Sequence, residues 1–551
     1  MSITLSTTVY NWLKELKVPV SKGYLNQRLL SHPDYPSLLS ITDTLDELGI
    51  DNTAIQIEKE LLPEIPTPFM AHLDGDFGEF VTIKNRDNLD KQFPGFFDRW
   101  KGVVVVAEKT ERWEHEQNSE WMKKEKAKQK VGSFTFSILA LFIFLPIVIS
   151  FSWVQAILML IAMAGVFVSW FIVSTDIGIE NKIADQICGK DADCNSVIHS
   201  YTISLPFGIG WSDAGIIYFP FLLVSLIIVS FNNTAGDIYQ LLAILASAAI
   251  PVTIISIYYQ WRIIKKWCRL CLITVALLLV QFFVLLPELL KVLKNGFGNA
   301  NINDAALLVF LLFITTAAWL WLKPLLQENK DLEAENFAAL RVKNNPDVFE
   351  ALLQQQRKLD TIPFEEDLQL GNPDAYLQIM VACNPYCRPC AQTHKVLHGL
   401  VEKSDVGLTI RFMVKTGNKK NMKLQAAEYI LQLLSYQTIE YKRKALNDWY
   451  ELMNLERFKE MYPINESNEM QLIDGIPGSV NGSPSPKEKM GLELHERWTK
   501  ENNIASTPTI FINGYELPKQ YSAADLKIIA KRTEKNNDTF DTERKKVFDL
   551  F

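Results

Sequence analysis

The sequence predicts a multi-domain membrane protein, in which an α-helical transmembrane bundle lies between an N-terminal α+β domain and a C-terminal α/β domain. Nearly every long window over residues 131–322 is apolar, while residues 1–130 and 323–551 carry most of the charged side chains. At about 150 residues per domain, 551 residues correspond to about three or four units. All seven cysteines lie in or after the apolar block at short spacings, a pattern typical of thiol exchange or metal binding.

The composition narrows the function classes. A net charge of -7 and a pI near 5.7 argue against a nucleic-acid partner, because phosphate binding needs a concentrated basic face. The first residues lack a basic segment followed by an uninterrupted apolar core, so we expect no cleavable signal peptide. Membrane insertion is then expected to use the internal spans.

Residues 1–108 are predicted to form the small α+β domain. A helical pattern over 41–48 ends at Gly49, and strands are predicted at 68–72, 79–83 and 103–106.

This segment resembles the papain-like leader-peptidase domain of bacteriocin and peptide exporters, including the closing Trp100-Lys101-Gly102 and the valines after it. The family implies a nucleophilic cysteine and a histidine. Here there is no cysteine, and Glu79 stands in the histidine's place, so we expect no proteolysis. We expect a degenerate domain that docks or binds a peptide, with His32 and His72 as turn and strand residues.

The apolar block is predicted to cross the membrane six times. About twenty apolar residues span the hydrocarbon core as a helix. The segments that qualify are 133–151, 154–175, 214–231, 238–258, 270–290 and 304–322. They define a membrane domain over 133–323, preceded by a charged linker at 109–132, and Lys323-Pro324 is expected to close the last span. The tryptophans expected at headgroup level are Trp261, Trp267, Trp319 and Trp321.

The C-terminal part is predicted as a helical linker, an α/β domain and a tail, over 324–371, 372–535 and 536–551. The linker is expected to break at Asn344-Asn345-Pro346. An apolar strand over 376–382 is followed by Cys383.

Cys387 and Cys390 lie between that strand and a helical pattern that extends to about Lys403. A thiolate at a helix N-terminus is stabilised by unpaired N–H groups, which makes Cys387 the expected nucleophile and Cys390 the buried resolving thiol. A lone C-x-x-C is also half of a zinc site, which His394 and Cys383 would complete, although redox chemistry is favoured. Cys383 is otherwise expected to pack at the strand end, or to pair with Cys387 in regulation.

These residues resemble the thioredoxin family, together with the later segment Ser506-Thr507-Pro508-Thr509. The resemblance implies that Pro508 is a cis-proline beside the thiols.

Cys268 and Cys271 open the fifth span, next to basic residues that favour a thiolate. Two thiols at the polar end of a span are positioned to reach both an aqueous and a lipid-soluble partner. The alternatives are a structural disulfide or two small buried side chains.

Cys188 and Cys194 lie in the polar loop between the second and third spans. A loop of this kind either swings a dithiol between two sites or carries a structural disulfide. With Ser200 and the C-x-x-C, the membrane block over about 150–322 resembles the bacterial vitamin K epoxide reductase homologues.

That resemblance implies roles for each position. Cys271 would face a quinone, either menaquinone or ubiquinone, and Ser200 would hydrogen-bond its oxygen. Cys268 would exchange with Cys188, and Cys194 with Cys387. Electrons would pass from a substrate dithiol through the three cysteine pairs to the membrane quinone pool. The implied activity is disulfide formation in reduced extracytoplasmic proteins. His199 beside Ser200 is expected to be an interfacial histidine.

Three other functions fit parts of the sequence. The first is a thiol-reducing system in which the relay runs in reverse, although no nucleotide or flavin motif for an electron donor is found. The second is a peptide-export accessory in which the N-terminal domain binds leader peptides. A metal-handling protein is the third alternative, although we expect no metal site.

The expected location is the bacterial cytoplasmic membrane, with the thiols on the extracytoplasmic side. Six spans place both soluble parts on the thiol side. The positive-inside rule opposes this orientation, because more basic residues flank the thiol side than the opposite side. Those on the thiol side are Lys123, Lys124, Lys126, Lys128, Lys130, Arg262, Lys265 and Lys266, against Lys291 and Lys294. We favour the chemistry, since an oxidising relay is expected outside a reducing cytosol.

Overall fold

The computed structural model describes most of the chain. The described residues are 2–74, 79–87, 89–93, 95–108, 116–149, 152–179, 187, 197, 210–230, 235–295, 302–435, 437–464, 486–526 and 530. They form two compact units, Met1–Ala338 and Ala339–Phe551. Cys188, Cys194, His199 and Ser200 lie outside the described residues.

The N-terminal domain consists of three helices followed by an antiparallel sheet. The helices are α1 (Ser2–Glu15), α2 (Lys22–Leu30) and α3 (Leu38–Glu47), and short helices α4 (Leu89–Gln92) and α5 (Phe96–Arg99) precede the last strand. The strands β1 (Asn52–Gln56), β2 (Phe69–Leu73), β3 (Glu79–Ile83) and β4 (Trp100–Ala107) are ordered β1-β4-β2-β3. The helix at 41–48 and the three predicted strands are confirmed. Strand β1 was not predicted, because it is an edge strand with mostly exposed side chains.

The predicted positions of the two histidines are confirmed. His32 lies between α2 and α3, with its Nε2 atom 3.3 Å from an oxygen of Asp43. His72 lies in β2 and stacks on Phe80. Glu79 at the start of β3 forms an ion pair with Arg99.

In the part of the chain that the structure describes, six long helices follow: α6 (Glu116–Ile149), α7 (Trp153–Ile177), α8 (Trp211–Ser230), α9 (Ala235–Tyr258), α10 (Arg269–Asn295) and α11 (Ile302–Lys343). Among the described residues, five segments are long and apolar enough to cross a membrane: α7, α8, Ile238–Ile264, Arg269–Lys294 and α11. The predicted first span forms the C-terminal part of α6, and its last two residues lie outside the described part of the chain.

Two local expectations in this region are wrong. Pro324 does not end the helix that contains the last predicted span, since α11 continues through it to Lys343. A proline removes one N–H from the helix ladder, but Lys330 beyond it donates to the Ile177 carbonyl at 2.7 Å and ties this part of the helix to the bundle. Trp319 is only 5% exposed and does not lie at a lipid surface, whereas Trp321 is 71% exposed.

The N-terminal domain is attached to the polar half of α6. Asn118 donates to the Pro19 carbonyl at 2.9 Å and accepts from the Ser21 amide at 2.8 Å. Glu125 accepts from the Ser21 hydroxyl at 2.7 Å. Phe337 of α11 packs against the same domain. Because Lys330, two turns earlier in α11, contacts the end of α7, the domain lies at the end of the bundle where α7 ends.

The second unit contains a mixed five-stranded sheet with helices packed around it. The strands are β5 (Leu368–Gly371), β6 (Leu377–Cys383), β7 (Val406–Phe412), β8 (Thr509–Ile512) and β9 (Tyr515–Glu516), in the order β5-β7-β6-β8-β9. Strands β6 and β7 are parallel, and the other neighbours are antiparallel.

Within the described residues, the helices of this unit are α12 (Pro346–Gln354), α13 (Arg388–Lys403), α14 (Met422–Leu434), α15 (Ile439–Leu452), α16 (Leu455–Met461) and α17 (Pro486–Glu501). The break before Pro346 is confirmed, because the Asn345 side chain caps α12 by accepting from the Asp347 amide at 2.9 Å.

Candidate redox sites

Cys387 is the N-terminal cap of α13, directly after the strand β6 and its turn. Its sulfur accepts a hydrogen bond from the Cys390 amide at 3.3 Å. The chain enters the helix here because Asn384 forms a turn with the Tyr386 amide and Pro389 occupies the first helical turn, where a missing N–H costs nothing. The sulfur is partly exposed and faces a helix N-terminus, the geometry that favours a thiolate.

Cys390 is fully buried one turn further along α13. Burial, followed by the hydrogen bond and charge of Cys387, raises the pKa of Cys390 to about 12. The soluble pair thus has one accessible and one covered sulfur, as the sequence predicts.

The proline segment lies beside this pair. The Thr507–Pro508 peptide bond is cis, and the Cys387 sulfur lies 3.5 Å from the Thr507 carbonyl oxygen. Two segments that are 120 residues apart in sequence therefore meet at the thiol.

Cys383 ends β6 in the core of the domain, as predicted for a packing residue. It accepts a hydrogen bond from the Tyr450 hydroxyl at 3.4 Å, and burial raises its pKa well above the ordinary value. Among the described residues, no group of three or more His, Cys, Asp or Glu side chains is arranged to hold a metal ion.

Cys268 and Cys271 repeat the hydrogen bond of the soluble pair at the start of α10. The Cys268 sulfur accepts from the Cys271 amide at 3.3 Å. The Cys268 amide donates to the Gln260 side chain at 2.9 Å, which holds the thiol at the end of the preceding helical turn. Exposure is reversed relative to the soluble pair: Cys268 is fully buried, and Cys271 is partly accessible.

Cys271 lines an apolar cavity of about 420 Å³ between helices of the bundle. The wall is mostly aliphatic and aromatic, with a few hydroxyl groups. The polar side chains at the wall are those of Ser212, Tyr218, Thr253, Ser256, Thr274 and Thr316. Tyr218 also accepts a hydrogen bond from Gln281 at 2.7 Å. Apolar walls with few polar groups are typical of sites for small apolar ligands.

Two described residues between α7 and α8 pack in the apolar cluster that contains Cys268. Val197 is a buried member of that cluster, and Ile187 packs against it. The Arg269 side chain donates to the Ile187 carbonyl at 3.2 Å. Ile187 immediately precedes Cys188 in sequence, so this hydrogen bond joins the residue before the predicted loop pair to the residue after Cys268.

A buried ionic network next to the cavity-lining residue Ser212 was not predicted from the sequence. Asp213 accepts from Lys323 at 2.7 and 2.8 Å, from the Trp319 indole at 3.0 Å and from the Gly210 amide at 2.7 Å. Asp176 accepts from Ser212 at 2.8 Å and lies 3.6 Å from Lys323. This explains why Trp319 is buried: its indole N–H is needed at Asp213. The sequence signal that could have pointed to this network is the presence of charged residues at the ends of three predicted spans.

Comparisons with known proteins agree with these two sites. Residues 156–286 match the vitamin K epoxide reductase family, and residues 364–531 match a thioredoxin family. The thiols of both segments indicate an oxidoreductase that acts on thiols. No curated protein sequence matches the chain.

Several solved structures are similar to part of the chain. A linker-deletion variant of Proteus mirabilis ScsC is 15% identical, with 40% of this chain and 94% of that chain covered and a TM-score of 0.25. BdbD from Bacillus subtilis is 14% identical over 33% of this chain and 96% of that chain, with a TM-score of 0.24. A periplasmic thioredoxin-like protein from Salmonella enterica serovar Typhimurium is 13% identical over 32% and 98%, with a TM-score of 0.25.

Proposed function

We propose that this protein is a quinone-dependent thiol oxidoreductase that generates disulfides in extracytoplasmic proteins. The observation that carries the proposal is the opposite exposure of its two described thiol pairs. The soluble pair exposes its first sulfur, Cys387, where a protein thiol can reach it. The membrane pair buries its first sulfur and turns the second, Cys271, into the apolar cavity.

The relay consists of thiol–disulfide exchanges in which atoms and electrons balance. A substrate thiolate attacks Cys387 of the Cys387–Cys390 disulfide, and the second substrate thiol releases the oxidised substrate. The reduced pair is then reoxidised by a Cys188–Cys194 disulfide through Cys194. Cys188 of the reduced loop pair then attacks Cys268 of a Cys268–Cys271 disulfide. This exchange forms the loop disulfide again and leaves the membrane pair reduced. Each transfer moves two electrons and two protons.

The cavity at Cys271 suits a quinone ring by its apolar wall, its volume and the hydroxyl groups at its edge. A bound quinone supplies an acceptor for two electrons and two protons. The chain excludes bulk water with the aromatic and aliphatic wall and presents the Cys271 sulfur to the cavity. Ser200 is proposed as a hydrogen-bond donor to the acceptor.

We place the protein in the bacterial cytoplasmic membrane with the thiols on the extracytoplasmic side. An oxidising relay needs a compartment that does not reduce its disulfides. The contacts of Phe337 and Lys330 support placing the N-terminal domain at the thiol end of the bundle.

We further propose that the N-terminal domain serves as a docking domain. Its attachment through the buried Asn118 and through Glu125 supports this role, because it holds the domain rigidly on α6. A peptide bound by this domain would identify its ligand.

The test is quinone reduction by the purified protein in detergent, with a reduced unfolded protein as electron donor. Cys271→Ser and Cys387→Ser are each expected to abolish turnover. The matched control is Cys383→Ala, which removes a buried thiol outside the relay and is expected to leave most of the turnover.

The same assay separates the alternatives. If no quinone supports turnover in the unmodified protein, the oxidase proposal fails. Reduction of substrate disulfides by a quinol would instead identify the reverse flow. Leader-peptide binding that is unchanged by alkylating every thiol would identify the export accessory.

A further inference from the structure

An open groove of about 490 Å³ lies beside the soluble thiol pair. Asn384 lines it, and the carbonyl of this residue accepts from the Cys387 amide at 3.1 Å. Ala505 also lines it, two residues before Thr507, whose carbonyl oxygen is 3.5 Å from the Cys387 sulfur. The relay proposed above assigns no task to this groove.

The groove lies at the carboxyl ends of the two parallel strands of the sheet. Strand β6 ends at Cys383, whose carbonyl accepts from the Met413 amide at 2.7 Å, and β7 ends one residue before Met413. Met413 lines the groove together with the buried Val414 and Ile504, so part of the wall is apolar. The crevice beyond the carboxyl ends of parallel strands is a common location for ligand sites.

The charged side chains of the wall are mainly basic. They are Lys415, Lys423, Lys500 and Glu496. Glu496 already accepts from the Thr416 amide at 2.8 Å and pairs with Lys500 at 2.6 Å. In the part of the chain that the structure describes, Lys415 and Lys423 are exposed and form no ion pair. The groove thus retains two positive charges that its own carboxylate does not neutralise.

Two helix N-termini add to this positive potential. Asn384 lies in the turn before α13, and Asn421, which lines the groove, is the N-terminal cap of α14 and accepts from the Lys423 amide at 3.1 Å. The N-terminus of a helix carries a partial positive charge, which acidic side chains in the first turn offset. Neither helix has an acidic residue there, and the first turns contain Arg388 and Lys423 instead. The helix ends and the lysines therefore both favour an anionic ligand.

The position of the groove indicates the class of this ligand. A chain bound between Asn384 and Ala505 lies beside the Cys387 sulfur, where the proposed function requires a substrate thiol. Attraction to a charged cleft raises association rates by about 10- to 1,000-fold. Acidic residues near a substrate cysteine would gain this rate, whereas basic ones would be repelled.

We propose that the groove beside Cys387 selects reduced proteins in which acidic residues flank the reacting cysteine. The acidic side chains contact Lys415 and Lys423, and an apolar neighbour packs on Met413. The exchange is the one described above: a substrate thiolate attacks Cys387, Cys390 leaves with the electron pair as a thiolate, and the second substrate thiolate displaces Cys387. This inference rests on the proposed function and names the substrate class of that site.

The test measures how fast the full-length, oxidised protein in detergent oxidises two reduced peptides. Both peptides carry the same pair of cysteines, and they differ at three flanking positions, which are Glu in one and Gln in the other. The initial rate of peptide oxidation is followed by acid quenching and mass spectrometry. Because flanking charge also changes the reactivity of the peptide thiol, each rate is divided by the rate of the same peptide with hydroxyethyl disulfide.

We expect the Glu peptide to react at least about tenfold faster than the Gln peptide in about 0.01 M salt. In about 1 M salt, where charges are screened within about 3 Å, the two rates should agree within about twofold. Equal rates at low salt in the unmodified protein would overturn the proposal. If neither peptide is oxidised in any salt, the proposed function fails, and this inference fails with it.

Variants of the two lysines assign the preference to the groove. In Lys415→Gln with Lys423→Gln, the ratio of the two rates should fall to about two or less. With Glu at both positions the ratio should fall below one, a reversal that partial unfolding does not produce. The matched control is Lys444→Gln with Lys519→Gln, which removes two exposed lysines that do not line the groove and should keep the preference. An unchanged ratio in the groove variants, or the same loss in the control, would overturn the proposal.

Discussion

Replacing Asp213 by Asn tests whether the buried network of Asp213, Asp176 and Lys323 holds α11 against the bundle. Asp213 is 1% exposed and accepts from Lys323, Trp319 and the Gly210 amide. The Asn side chain has the same shape as the Asp side chain but carries no charge, and its NH₂ group would face N–H donors instead of accepting from them. Breaking a buried ion pair costs about 3–5 kcal/mol. Lys323 is 16% exposed and keeps a contact with Asp176, so we expect about 3 kcal/mol.

The free energy of unfolding is measured by denaturing the purified protein in mixed micelles, with tryptophan fluorescence as the signal. A loss of about 3 kcal/mol is about a 150-fold change in the unfolding equilibrium. The matched control is Asp176→Asn, whose ion pair with Lys323 is longer, at 3.6 Å, and which should cost about 1 kcal/mol. Asp213→Asn combined with Lys323→Met should recover part of the loss. A loss below about 0.5 kcal/mol for Asp213→Asn, or equal losses in both single variants, would refute the assigned role.

Three further predictions follow from the same structure. Ala249→Trp fills the cavity at Cys271 and should raise the KM for a short-chain quinone at least tenfold while alkylation of Cys387 stays unchanged; an unaltered KM would contradict the cavity as the acceptor site. Arg269→Ala removes a charged hydrogen bond to the Ile187 carbonyl worth about 1.5 kcal/mol, so electron transfer from the loop pair to Cys268 should slow about tenfold in rapid-quench trapping, and Arg269→Lys should slow it less. Burial alone would raise the pKa of Asp367, but hydrogen bonds from His495 and Arg411 outweigh burial, so the pKa is lowered from 3.8. Because the carboxyl pKa is lowered on folding, the ion pair contributes stability at neutral pH. This stability is lost as the pH falls below about 4 through the folded-state pKa. Asp367→Asn should destabilise the domain by about 3–5 kcal/mol at pH 7 and remove this acid-dependent part of the thermal unfolding curve.

The local features of the sites were predictable because they depend on short stretches of sequence. The strand, the C-x-x-C and the helix after it determine that Cys387 caps α13 and Cys390 lies one turn inside. The resemblance to thioredoxins led to the cis peptide bond at Pro508, which is confirmed. The break before Pro346 follows from one capping asparagine.

Features that join distant segments were not predictable. Asp213 and Lys323 are 110 residues apart, and each alone is an ordinary charged residue at the end of a span. The predicted interfacial position of Trp319 is wrong for the same reason. Trp321, two residues further along the helix, faces outward, whereas Trp319 is buried and donates to the distant Asp213. The sequence allowed His394 as one ligand of a zinc site, since it does not reveal that the Nε2 atom is buried with no hydrogen-bond partner among the residues that the structure describes.

The sequence by itself determined the order of domains, the long apolar helices, the spacing of the cysteine pairs and the order of strand, thiol and helix. These features depend on hydrophobic periodicity and local backbone preferences, which neighbouring residues carry. Only the tertiary structure decided that the membrane pair has the opposite exposure, with Cys268 buried and Cys271 partly accessible. Exposure depends on what packs around a side chain. Cys268 lies in an apolar cluster with Val197 and Ile187, and Cys390 lies in the core of its domain, while Cys271 lines the cavity and Cys387 is partly exposed. Because the covering residues come from distant segments, the same C-x-x-C spacing yields opposite polarity in the two units.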